Sequence, residues 1–143
     1  MELIFAFALN NENIFGKKHF GDAEKFLIYK VNNDEIILYE EAENPFINFN
    51  EEQEHGSKLK AKAIIKFLKE KNVNVLVSRQ FGRNIKRINS YFIPIIIYSD
   101  ETNDAIQAIN KHLHWIKDEL KNSSGEYNLF TIKSGILKSK IKK

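Results

Sequence analysis

After Glu2, every side chain from Leu3 to Leu9 is apolar. A strand with one face in water alternates apolar and polar residues, whereas a strand covered on both faces reads as a continuous apolar run. The chain therefore opens with a central strand that needs cover on both sides, and this directs it to a layered α/β fold. Its 143 residues fit one domain with a sizeable core.

The remaining elements follow from patterning. Residues 10–16 read as a loop rich in Asn and Gly. Residues 26–31 and 35–39 form two antiparallel strands across the short Asn32-Asn33-Asp34 link. Residues 40–53, acidic and holding Pro45, read as a long exposed loop. Ser57 caps a helix reaching about Lys71, with Leu59, Ala63, Ile64, Phe67 and Leu68 facing inward and lysines outward. Residues 73–77 make a fourth strand. The Gln80-Phe81-Gly82 turn leads into a short basic helix over 83–90. Residues 93–98 make a fifth strand, and Pro94 points to an edge position for it. Thr102 starts a last long helix in which Ile106, Ile109, Leu113, Ile116 and Leu120 recur at helical spacing.

The order β-β-β-α-β-α-β-α predicts a mixed five-stranded sheet flanked by helices over residues 1–120. A C-terminal extension, 121–143, carries a strand candidate at 127–133 and a basic tail. In such a sheet five places share one edge: Asn10 after strand one, His19-Phe20-Gly21 before strand two, His55-Gly56-Ser57 at the first helix, Arg79 to Arg83 after strand four, and Ser99-Asp100 after strand five. Open sheets bind ligands outside the carboxyl ends of parallel strands, so this edge is the expected site.

The residue types on that edge share a chemistry. Gly56 and Gly82 each stand at a helix start, where close backbone approach and free N–H groups favour an anion. His19 and His55 can ligate a metal through a neutral ring nitrogen, and Arg79 and Arg83 can pair with negative charge. Each glycine also has a plainer role as a turn or cap residue, and His19 as a hydrogen-bonded structural histidine. His112 and His114, two apart on a helix, diverge and make a poor metal pair; Trp115 reads as packing at the core margin.

Charge and cysteine usage narrow the chemistry further. Residues 1–55 carry twelve carboxylates against four basic residues, net −8, and residues 56–143 carry seven against eighteen, net +11. The absence of cysteine excludes disulfides, thiolate-bound zinc and a cysteine nucleophile. No basic region precedes a long apolar run, so neither a secretion signal nor a membrane span is expected, and a cytoplasmic location fits.

The stretch His19-Phe20-Gly21-Asp22-Ala23-Glu24-Lys25-Phe26-Leu27-Ile28 resembles the signature of the dinitrogenase iron–molybdenum cofactor biosynthesis family, in which His-Phe-Gly leads into an aromatic-rich strand. Further landmarks follow in order: Glu43-Asn44-Pro45, His55-Gly56, the run from Glu70 into Val77, Phe81-Gly82, and Ile93-Pro94-Ile95-Ile96. The resemblance covers roughly residues 3–118. It implies a ribonuclease H-like fold and a role in carrying or inserting an iron–sulfur or iron–molybdenum-type cluster, with cluster donor or acceptor proteins as partners. Carried over, His19 is the first candidate cluster contact and His55 the second, with Phe20, Gly21, Gly56, Phe81, Gly82 and Asn10 around them and Arg79 and Arg83 offsetting the cluster's charge. Three departures matter. Without cysteine, a cluster would be held by histidine, backbone amides and charge alone, which implies transient carriage. Arg79-Gln80 replaces the small residues that often precede Phe-Gly, and residues 121–143 fall outside the resemblance.

Rival functions rank below carriage. Two-metal nuclease chemistry needs carboxylates near the strand centres, and strands one and four offer none there. Ser57 near His55 is no catalytic triad without an organised nucleophile and an oxyanion site. The lysines at 58, 60, 62, 66, 69 and 71 with Arg83, Lys86 and Arg87 compose a basic face for nucleic acid, although they also serve as the wet side of a helix. The third reading is a protein-interaction domain, in which the acidic loop meets the basic surface of another copy, as weak self-association, or of another protein.

Overall fold

The computed structural model of the protein describes residues 2–47, 56–123, 125–133 and 135–141. Strand β1 (Ile4–Leu9) is buried along its whole length. It lies between β2 (Lys25–Asn32), antiparallel to it, and β4 (Val75–Ser78), parallel to it. Strand β3 (Glu35–Glu43) pairs antiparallel with β2. On the other side, β5 (Ile93–Ile97) and β6 (Leu129–Ile132) continue in parallel, and β7 (Ile136–Ser139) closes the sheet antiparallel. The sheet thus has seven strands in the order β3-β2-β1-β4-β5-β6-β7, not five, because the C-terminal extension adds two.

Alternation along β1 sorts its side chains between two cores. Leu3, Phe5, Phe7 and Leu9 face α3 (Thr102–Lys111) and α4 (Leu113–Asn122), packing with Ile109, Leu113, Ile116 and Phe130. Ile4, Ala6 and Ala8 face the opposite way, into a core with Ile64 and Leu68 of α1 (Gly56–Lys69) and Ile88 of the one-turn helix α2 (Ile85–Ile88).

Four further expectations are corrected. Pro94 is interior, not at an edge. The Ile93 N–H donates to the Asn74 carbonyl on the β4 side, so the donor missing at position 94 would have faced β6. Pairing of β5 with β6 begins only at Ile95, and the proline therefore breaks no ladder bond. The last helix is two helices, divided at His112, whose backbone (φ −122, ψ 21) leaves the helical region. No glycine or proline marks the break, and the apolar spacing runs through it. Strand β3 extends to Glu43, into the stretch read as loop, because an edge strand facing water takes carboxylates as readily as a loop does. Helix α1 begins at Gly56, which places Ser57 inside it rather than at the cap, and its buried stripe is Lys60, Ala61, Ile64, Ile65 and Leu68, with Leu59 exposed.

Candidate functional site

The loops at the carboxyl ends of β1, β4 and β5 are stitched to one another by main-chain hydrogen bonds. The Phe15 N–H donates to the Asp100 carbonyl, the Phe20 N–H to the Gln80 carbonyl, and the Glu24 N–H to the Leu9 carbonyl. The turn after β4 is therefore anchored directly to the segment entering β2. Asn44, buried just after β3, donates through Nδ2 to the carbonyls of Gly21 (3.0 Å) and Ala23 (2.8 Å), strapping the same segment from the other side.

Between these loops and α1 lies a cleft of about 270 Å³. His19, Phe20 and Gly21 form one wall, Lys60 and Ile64 of α1 a second, and Phe81, Arg83 and Asn84 a third. The Phe20 and Phe81 rings stand 5.8 Å apart, both buried, and give the cleft an apolar base. His19 precedes the short 3₁₀ turn Phe20–Asp22 and is exposed. Gly82 has φ +67, a conformation that favours glycine. A Cβ on it would come within 2.6 Å of the His19 Nδ1 atom, so the absence of a side chain lets the imidazole lie against the turn. Gly21 has no such requirement: a Cβ there would meet only Ile64 and Lys60 at ordinary contact distance.

Lys60 is the group that the sequence pattern concealed. Its side chain is 4% exposed, and its ammonium donates to Asp22 Oδ1 at 2.6 Å. Burial of an ammonium is costly unless paired, and Asp22, at the rim, supplies the opposite charge. The clue lay in its spacing: Lys60, Ile64 and Leu68 recur every four residues, so the lysine shares the inward stripe rather than the wet face.

The structure gathers His19, Phe20, Gly21, Phe81 and Arg83 at the cleft, with Gly82 beside them. It separates two others. Arg79 turns away and pairs with Asp100. Asn10 lines a neighbouring cavity with His19, but its Oδ1 accepts from the N–H groups of Glu12 and Ile14 and so holds its own loop. Gly56 is the first residue of α1, one turn before Lys60. His55 lies outside the described residues. His112 and His114 each stand about 6 Å from the Trp115 ring, on the far side of the sheet, and Trp115 is 42% exposed. Among the described residues no group of three or more His, Asp or Glu could hold a metal ion, and no helix is long and apolar enough to cross a membrane.

A mixed α/β sheet with a cationic cleft at the carboxyl ends of its parallel strands is the class that this geometry defines. Within it, the chain belongs to the dinitrogenase iron–molybdenum cofactor family, whose model matches residues 1–112. Membership relates the protein to the iron–molybdenum cofactor of dinitrogenase. No curated protein matches the chain.

Proposed function

We propose that the protein is a non-catalytic carrier that holds an anionic iron–sulfur or iron–molybdenum-type cluster, or a similar small anionic cofactor, as cargo in the cleft beside His19. The observation that carries this reading is the convergence of one imidazole, one buried ammonium and one guanidinium on a single cleft in a chain of this family. The donor set fits attraction of an anion better than chelation of a metal. His19 offers one ring nitrogen, while Lys60 and Arg83 offset negative charge, and Phe20 and Phe81 exclude water from one side. A cluster held by one coordinating side chain and by charge leaves readily, as a carrier requires. Donor or acceptor proteins follow as partners, and a cytoplasmic site of action accords with them. The strand order β3-β2-β1-β4-β5, an antiparallel meander continued by parallel strands, supports the ribonuclease H-like assignment.

Anaerobic incubation with iron, sulfide and molybdate, followed by desalting and absorption spectroscopy, tests the proposal. Wild type should retain a metal–sulfur chromophore, and His19→Ala should lose most of it. Equal, negligible retention by both proteins refutes the reading.

A further inference from the structure

Helices α1 and α2 frame a second depression, a groove of about 380 Å³ lined by Lys62, Ile65, Lys66, Lys69, Arg87 and Tyr91. Four of these six side chains are cationic, and none is acidic. Several basic side chains elsewhere lie beside a carboxylate: Lys25 pairs with Glu41, Lys60 with Asp22, Lys71 with Glu40 and Arg79 with Asp100. Among the described residues, the four cations of the groove pair with no carboxylate. Lys69 is drawn over the Phe92 ring, its Nζ 4.6 Å from the centroid, and burial lowers its pKa. Crowding like charges in one depression without a counter-charge opposes folding, and an external polyanion would relieve it.

The cations are also ordered. Lys62, Lys66 and Lys69 follow one face of α1, with rises of about 6 Å and about 4.5 Å between successive residues. Arg87 faces them from α2, its guanidinium steadied by a 3.1 Å bond to Asn84 Oδ1. Tyr91, 48% exposed, presents an aromatic ring at the rim. Protein–protein interface cores are depleted in lysine, whereas nucleic-acid interfaces are strongly positive. A lysine row beside an exposed aromatic ring is the arrangement that binds single strands, the cations following phosphates and the ring stacking on a base.

We infer that the α1–α2 groove is a binding site for single-stranded nucleic acid, separate from the cargo cleft and independent of whether that cleft holds a cluster. Phosphates lie along Lys62, Lys66 and Lys69, and one base stacks on Tyr91. Such recognition is salt-dependent and tolerant of sequence.

Fluorescence anisotropy with a short labelled oligouridylate, over a series of salt concentrations, tests the assignment. Lys62→Gln/Lys66→Gln should weaken binding about tenfold at low salt and flatten the log–log salt slope by about 1.4, at roughly 0.7 per phosphate contact. Tyr91→Ala should weaken binding about fivefold or more while leaving the slope unchanged. Lys111→Gln/Lys121→Gln removes the same charge from the opposite face of the sheet and should have little effect. Thermal melts of each variant confirm that the fold is kept. The assignment is overturned if wild type does not bind, if the control pair matches the groove pair, or if duplex binds as well as the single strand with Tyr91→Ala silent. Tighter, variant-sensitive binding of a polyglutamate peptide would assign the groove to an acidic protein segment and overturn it as well.

Discussion

The α-carbon of Gly82 faces the imidazole of His19, at a separation that leaves no room for a methyl group. One glycine thereby performs two tasks: it accepts a positive φ in the turn after β4, and it gives the histidine a surface to lie on. Gly82→Ala is expected to cost about 1–2 kcal/mol from the left-handed backbone alone. It should also swing the exposed His19 ring off the turn. Chemical denaturation measures the first effect, and the cargo assay the second. Reduced cargo retention in a protein still folded at the assay temperature is the expected result.

The Asp22–Lys60 pair gives a second prediction. Within the cleft, Asp22 occupies the ammonium that an anionic cargo would seek, and so competes with it. Asp22→Asn should therefore tighten anion binding several-fold, as followed by equilibrium dialysis with molybdate. Lys60→Met removes the attraction and should abolish retention. Weaker binding by Asp22→Asn would show that the carboxylate supports the site instead of competing within it.

A pH dependence follows from Glu119 on α4. Burial by itself raises the pKa of this carboxylate, but hydrogen bonds outweigh that effect. The main-chain and side-chain N–H groups of Asn128 and the Ser123 hydroxyl donate to it, and Lys138 adds attraction, so its pKa lies below the usual glutamate range. The folded protein thus binds the proton more weakly than the unfolded chain does. The stabilisation is fully present above the unfolded pKa and is lost as pH falls through the folded one. Glu119→Gln should cost about 1–3 kcal/mol at neutral pH and make stability fall less steeply with acid. Urea titrations at neutral and acidic pH check both.

The C-terminal strands should prove essential to stability although they follow the family match. Phe130 of β6 is fully buried, in the same core as Phe5 and Phe7. Phe130→Ala is expected to destabilise by about 3–5 kcal/mol, read from the urea midpoint. A shift below 1 kcal/mol would mean that this core tolerates loss of the ring.

The legibility of the fold varied with the range of the interactions involved. The doubly buried β1 was plain, since seven apolar residues in a row have few other uses. The strand order alone brings His19, Phe81 and Arg83 to one edge. What escaped was decided by rotation and by distant partners. A small rotation of α1 turned Lys60 inward and Leu59 outward, a difference that composition does not register. Pro94 escapes the edge rule because a proline inside a sheet is harmless when its missing donor faces the unpaired end of a neighbouring strand. The residues of β6 look like any short apolar strand, and their place beside β5 depends on a pairing across more than thirty residues.

That pairing also sets the timing of the molecule's birth on the ribosome. Until residues 129–132 have left the exit tunnel, β5 offers an apolar strand with an open edge to whatever is nearby. The nascent protein thus passes through an interval in which most of its sheet is built but one side is unsealed. Strand β6 is the part that ends this exposure.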